Sequence, residues 1–289
     1  MIPSMAVVHH RHAQRSNLGR RVLIVSAVLM AALILGVPTA IIFTHAFAKG
    51  FDTWWRAISS TEALQAIGLS LLTLAIVVPV NAVYGLSVAW AVTKFRWRGK
   101  KWVVSLIEIP FSVSPIVAGV AYLMVYGSSG LLGEWLMEHD IKIMFAVPGI
   151  VLATLFVTSP FVAREVMPLM HLQGTDEEEA AQVLGAGGLR TFLAVTLPNV
   201  KWALLYGLIL CAARSLGEFG AVSVVSGHIR GETNTLPLYI DLLYHDYENS
   251  GAFAAASVLT LLALVTVVLK AVVESRRDAV LDERSKKPA

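Results

Sequence analysis

The chain has 289 residues, of which 56% are hydrophobic and 15% charged, with a net charge of +3. Soluble domains carry roughly 25% charged residues, so this chain has too few to cover a globular surface and too much apolar material to stay disordered. Cys211, its single cysteine, excludes an internal disulfide scaffold, and what remains is an all-α integral membrane protein.

A bilayer core about 30 Å thick needs roughly 20 apolar helical residues to cross it, and six windows qualify. In chain order they are Val22–Phe47, Leu64–Val92, Trp102–Tyr126, Phe145–Met167, Ala203–Ser226 and Gly251–Val273. Before the first lies a basic tail, residues 1–21, with Arg11, Arg15, Arg20 and Arg21. His9, His10 and His12 in that tail read as part of a disordered basic segment, not as a metal site. Ala46-Phe47-Ala48 imitates a signal-peptide cleavage site, but the apolar stretch exceeds the ~7–15 residues of a signal core, which predicts a retained helix. Pro38, Pro79, Pro110, Pro115 and Pro160 fall inside or at the ends of the windows. Prolines are tolerated where neighbouring helices or water satisfy the freed carbonyls, so a packed bundle is expected.

Lys and Arg alternate along the chain. The second-to-third connection carries Lys94, Arg96, Arg98, Lys100 and Lys101, and the fourth-to-fifth carries Arg164, Arg190 and Lys201. The second tail, residues 274–289, follows Lys270 and contains Arg276, Arg277, Arg284, Lys286 and Lys287. The other connections hold Lys49 and Arg56, then Lys142, then Arg230. Positive residues concentrate on the cytoplasmic side, which predicts both termini in the cytoplasm. The same partition explains the basic excess without a nucleic-acid partner.

Gly127-Ser128-Ser129-Gly130 spells the Gly-x-Ser-Gly of intramembrane serine proteases. A serine nucleophile needs a nearby base, and His139, His171, His228 and His245 all fall in connections, so a turn is the better account.

The fourth-to-fifth connection is more patterned than a linker. Thr175 followed by Glu178 is a capping-box pattern, with Asp176 and Glu177 favourable in the first turn. Gly185 suits a left-handed helix stop, and Gly187-Gly188 permit a turn into a second short helix with Phe192, Leu193 and Val195, ended by Pro198. A run of three, Glu179-Ala180-Ala181, is followed at fixed intervals by Gly185, Val195 and Leu197-Pro198. This spacing resembles the EAA loop, residues 174–200 here, of the permease subunits of bacterial ABC importers, although Val195 stands where Ile is commoner. The resemblance extends from Thr61 to Val273, with residues 22–47 as a lead-in helix. It implies a type I (MetI-like) bundle of six transmembrane helices with a cytoplasmic coupling-helix loop. By the same resemblance Glu178, Glu179, Ala180 and Ala181 form the ATPase-coupling surface, Glu179 pairs with an ATPase arginine, Gly185 makes the turn, and Leu197-Pro198 restart the next span. Gly99-Lys100-Lys101 lacks the remaining features of a phosphate-binding Walker loop, so hydrolysis belongs to a separate subunit and this chain is not an enzyme. No cofactor and no metal are expected.

The fifth window holds Arg214 near its middle and Glu218 four residues on. Each charge costs roughly 2.5–3.5 kcal/mol at a helix centre, so the two are expected to face each other, either as a structural pair or with Arg214 on an anion pathway. Ala213, Gly217 and Ala221 form a small-residue stripe, and Cys211 reads as a buried apolar residue.

Arg214-Ser-Leu-Gly-Glu-Phe-Gly-Ala221, with the run from Ser226 to Leu238, is similar to sulfate/thiosulfate and molybdate permeases. His228-Ile229-Arg230 and the stretch Tyr239–Tyr247 look most like the CysW-type sulfate/thiosulfate subfamily. That resemblance implies a heterodimer with a CysT-type permease, two ATPase subunits, a periplasmic sulfate/thiosulfate-binding protein, and a multi-pass place in the bacterial inner membrane. Arg230 either attracts the incoming dianion or is a solvated charge near Glu232. A molybdate or tungstate permease is the alternative within the architecture. A secondary transporter would need midplane carboxylates and repeated halves, and of these only Glu218 is present.

Overall fold

The computed structural model describes residues 17–285, with side chains described for residues 19–276. The tail histidines His9, His10 and His12, with Arg11 and Arg15, lie outside it. Among the described residues every regular element is helical. In chain order these are α1 (Gly19–Phe47), α2 (Phe51–Ile58), α3 (Thr61–Lys94), α4 (Lys100–Ser112), α5 (Pro115–Tyr126) and α6 (Gly133–Glu138). They continue with α7 (Val147–Gln173), α8 (Asp176–Val183), α9 (Gly188–Leu216), α10 (Gly220–Val225), α11 (Leu236–His245) and α12 (Asn249–Ser285).

Five helices are long and apolar enough to cross a membrane: α1, α3, α7, α9 and the Asn249–Arg276 part of α12. The expected third window is instead broken into α4 and α5, which meet at 109°. Val113 and Ser114 are extended between them, as the residue before a proline prefers, and Pro115 opens α5. The fifth window is also interrupted. Helix α9 stops at Leu216, the chain turns through Gly217–Phe219, and α10 begins at Gly220.

Pro198 does not end a short helix as the sequence suggested. It lies inside α9, directly after a π turn at Phe192–Thr196. Pro38 in α1 has the same arrangement, following a π turn at Ala32–Gly36. A proline removes one N–H and its ring crowds the carbonyl four residues earlier. The wider turn relieves both, so the helix passes through the proline without breaking.

The packed centre is formed by α3, α7 and α9. Val77, Ala89, Val162, Val166, Met170, Val200 and Cys211 are its buried side chains. Close approach depends on two glycines around Val162. A Cβ on Gly85 would lie 2.6 Å from the Cβ of Val162, and one on Gly207 would lie 3.1 Å from its Cα. Dispersion and backbone proximity, not water release, hold helices together in lipid, so such small residues matter. Asn81 adds a polar tie, its Nδ2 donating to Thr158 Oγ1 at 2.7 Å beside Cys211. Helix α12 packs against α9, α11 and α1, and α10 packs against α5 and α7.

Helix α1 sits apart. None of its most apolar stretch is buried inside the chain, and it reaches the bundle through its second half, against α12. Helix α2 follows it, with the rings of Phe47, Phe51, Trp54 and Trp55 packed against one another at tilted angles and Trp54 Nε1 donating to Ser257 Oγ at 2.9 Å.

Candidate functional site

The connection from α7 to α9 folds as one compact unit. Gly174 leaves α7 with φ +65 and ψ −156, a conformation open to glycine alone, and this turns the chain into α8. Helix α8 ends in a Schellman motif. Gly185, at φ +88, donates to the Gln182 carbonyl at 2.9 Å, and Ala186 donates to the Ala181 carbonyl at 3.0 Å. The left-handed stop expected at Gly185 is therefore present. The capping box is not. Thr175 makes no side-chain cap, and its Oγ1 donates to Glu179 Oε1 at 2.8 Å, because Glu178 is engaged elsewhere.

Glu178 faces inward. Lys94 Nζ, at the end of α3, lies 2.8 Å from each of its carboxylate oxygens, and Thr196 Oγ1, in the π turn of α9, donates to Oε1 at 2.9 Å. Lys94 also donates to the Gly174 carbonyl. Only 7% of the Lys94 side chain and 13% of the Glu178 side chain are exposed, so solvent screens this pair poorly. Asn199 Nδ2 donates to Glu177, and Gln173 Nε2 donates to the Asn199 carbonyl at 3.1 Å, which fastens the first turn of α8 to α9 a second time. Between α8 and the bundle lies a cavity of ≈ 300 Å³ lined by Trp90, Lys94, Glu178, Gln182, Thr191 and Thr196.

The other face of α8 is open. Glu179 and Ala180 are exposed, Ala181 is partly so, and Val183 and Leu184 are each 88% exposed. Leu172 and Leu189, at the adjoining ends of α7 and α9, are exposed as well. Three acids, Asp176, Glu177 and Glu179, and four aliphatic side chains are thus exposed on this part of the chain. Leu197 and Pro198 lie behind it, inside α9. Sequence reasoning placed Glu178 and Glu179 together on that surface, whereas the structure separates them. Lys94, Gly174 and Thr196 were missed. Lys94 counted only as one of several positive residues, and no short spacing links it to a residue 84 positions away.

Arg214 and Glu218 do meet, but not in the interior of a helix. Arg214 is in the last turn of α9 and Glu218 in the break before α10. A terminal guanidinium nitrogen lies 2.7 Å from Glu218 Oε2, an ion pair by distance without well-directed hydrogen-bond geometry. Oε1 accepts the Ala221 N–H at 2.8 Å and so satisfies a donor in the first turn of α10. The Glu218 side chain is 1% exposed and that of Arg214 33%. The carboxylate is locked, while the guanidinium is partly open.

Two further positions differ from expectation. Arg164 lies within α7, not in a loop, its guanidinium 5.1 Å over the Phe111 ring. Arg230 pairs with Asp246 and lies 4.0 Å from Glu62, and no pairing with Glu232 accompanies these. Two acids thus lie beside its half-exposed guanidinium. Gly127–Gly130 forms the expected turn, with Gly130 donating to the Gly127 carbonyl at 2.8 Å.

A bundle of apolar helices with broken spans and a structured acidic loop defines a multi-pass membrane subunit built for transport. Residues 81–279 match the family described as binding-protein-dependent transport system inner membrane component, and the chain belongs to that family. It is 51% identical over 264 residues to the sulfate transport system permease protein CysW of Escherichia coli (strain K12), covering 91% of each chain. To the sulfate transport system permease protein CysT of the same organism it is 34% identical, covering 84% of this chain and 90% of the other. Among solved structures, a bacterial alginate ABC transporter superposes with a TM-score of 0.73 at 16% identity, over 89% of this chain and 92% of that one. The expected ABC-permease fold is therefore present, and the chain is a transport component, not an enzyme.

Proposed function

We propose that this chain is one of two permease subunits of an ATP-driven importer for sulfate or thiosulfate. Its partners are a CysT-type permease, two ATPase subunits and a periplasmic binding protein that delivers the anion. The observation that carries the reading is the projecting face of α8. A helix held rigidly at its back and presenting Glu179, Ala180, Val183 and Leu184 outward has the form of a docking element. Exposed aliphatic side chains beside three exposed carboxylates suit neither lipid nor plain solvent, and they suit a protein partner with an apolar cleft rimmed by basic residues. The end of α3 and the whole of α8 share one face of the bundle, where the positive residues Lys94, Lys100 and Lys101 also gather. That face is the cytoplasmic one by the distribution of charge, which puts both termini inside.

The substrate assignment rests on 51% identity to one sulfate permease and 34% to another of the same organism, a difference that favours two unlike permease chains over a pair of copies. Arg214 supports the anion pathway. Its charge is oriented by a buried carboxylate yet remains one-third exposed, at a break in the helix. Backbone that leaves a helix at membrane depth is tolerated only where it is buried in protein or lines a cavity.

Uptake of labelled sulfate, thiosulfate and molybdate in cells lacking the chain, with and without complementation, tests the reading. Restoration of sulfate or thiosulfate uptake is expected. Restoration of molybdate uptake alone would reassign the substrate, and no restoration of any would end the proposal.

A further inference from the structure

The Glu178 carboxylate joins three elements, of which the chain itself links only α8 and α9, and those through a glycine turn. It belongs to α8, takes its charge partner from the end of α3 and takes a hydroxyl from the π turn of α9. We propose that Lys94, Glu178 and Thr196 form the joint that makes α8 and the two central helices move as one body, and that Lys94 is a positioning residue for coupled transport. The inference rests on α8 being the docking element and adds which contacts carry its displacement inward.

Two routes lead from α8 into the membrane. One is covalent. The chain passes through Ala186 and Gly187 into α9, which runs to Arg214 and the break at Gly217. Gly187-Gly188 and the Schellman turn supply little stiffness, so it is the Thr196 and Asn199 side chains, not this connection, that hold α8 against α9. The other route is the ion pair to Lys94. Helix α3 is 34 residues long and continuous through Pro79, so it transmits displacement over about 50 Å at 1.5 Å per residue. At its far half Ser70 Oγ accepts the Leu236 N–H at 2.7 Å, which links α3 to the start of α11. Midway, Asn81 ties it to α7 beside Cys211 of α9.

The chemistry suits a joint better than a simple cap. Lys94 straddles both carboxylate oxygens and also holds the Gly174 carbonyl, so one ammonium fixes the end of α7 and the start of α8 together. Thr196 sits in the π turn, where the helix is already widened, and its hydroxyl ties that turn to Glu178. With the pair mostly shielded from solvent, removing either charge leaves the other buried and uncompensated. Glu179, one residue on, is exposed and takes only the Thr175 hydroxyl, which leaves its carboxylate accessible to the partner.

The experiment uses the assembled complex in proteoliposomes and compares wild type, Lys94→Met, and the charge-exchanged double variant Lys94→Glu with Glu178→Lys. Three quantities are read: ATPase subunit retained with the permease, ATP hydrolysed, and sulfate moved per ATP. In Lys94→Met the ATPase should stay bound and active while sulfate moved per ATP falls about tenfold, and the exchanged pair should recover most of it. Unchanged sulfate per ATP in Lys94→Met overturns the joint and leaves docking intact. Loss of the ATPase from Lys94→Met without recovery in the exchanged pair also overturns it, since Lys94 would then serve assembly alone. Glu179→Arg is the parallel control: retained ATPase and normal uptake in that variant would overturn the docking reading itself.

Discussion

The molecule contains two glutamate pairs that look alike on paper and differ in kind. Glu218 meets Arg214 four residues earlier, within one stretch of chain. Glu178 meets Lys94 from another helix altogether, across 84 residues. The local pair places a guanidinium at the break between α9 and α10, and its carboxylate is the more deeply buried member. The long-range pair binds two helices at the membrane edge and shields both members almost equally. A contact inside one segment can aim a side chain but cannot join elements. Only a contact between segments can carry force from one to the other.

The comparison breaks first at Glu218. Glu218→Ala leaves the buried Ala221 N–H without its acceptor and the partly exposed Arg214 without its counter-charge, so it should destabilise the fold by about 2–3 kcal/mol. Thermal melting in detergent should show a clear drop together with a loss of folded protein. A melting point like that of the wild type would mean that the carboxylate is dispensable and that the pair does not organise the break. Arg214→Gln also costs stability, because it leaves the fully buried Glu218 carboxylate without its counter-charge, although that carboxylate still accepts from Ala221. Sulfate uptake should nevertheless fall well below the folded amount of this variant. Uptake that tracks folded protein would make the pair purely structural and remove Arg214 from the anion route.

The parts of the fold legible in the sequence were those set by composition over long windows. The six apolar stretches, the alternating positive charge and the acidic connection all follow from patterns that no distant residue can alter. The breaks were less legible. Pro110 and Pro115 marked the third window as irregular, but a 109° bend depends on Val113 and Ser114 adopting extended conformations between two otherwise apolar helices. At Leu216 the signal was a glycine at position 217 between Arg214 and Glu218, in a run otherwise apolar. Pro198 misled in the opposite direction, since the π turn before it lets the helix continue. A π turn has no distinctive sequence, and its twin before Pro38 shows that the solution recurs.

The connection between α7 and α9 was half legible. The stop at Gly185 needs a residue that tolerates φ +88, and the sequence offered one. The division between Glu178 and Glu179 was hidden, because consecutive helical residues face different directions and what lies behind α8 is decided by α3. Thr175 and Glu178 satisfied the spacing of a capping box, yet the stronger bond to Lys94 took the carboxylate. Tertiary charge pairing overrode local preference at Glu178.

The central claim is that the outward face of α8 docks on an ATPase subunit. Cys211, the single cysteine, is fully buried, so one substitution, Cys211→Ala, gives a background for thiol chemistry. Leu184→Cys in that background places a thiol on the exposed face, one residue from the Gly185 turn. In the assembled complex a short bifunctional thiol reagent should join it to the ATPase subunit, and adding Glu179→Arg should abolish the adduct. The account would be contradicted if Leu184→Cys forms no adduct with the ATPase, or if a membrane-impermeant maleimide labels it from outside intact spheroplasts.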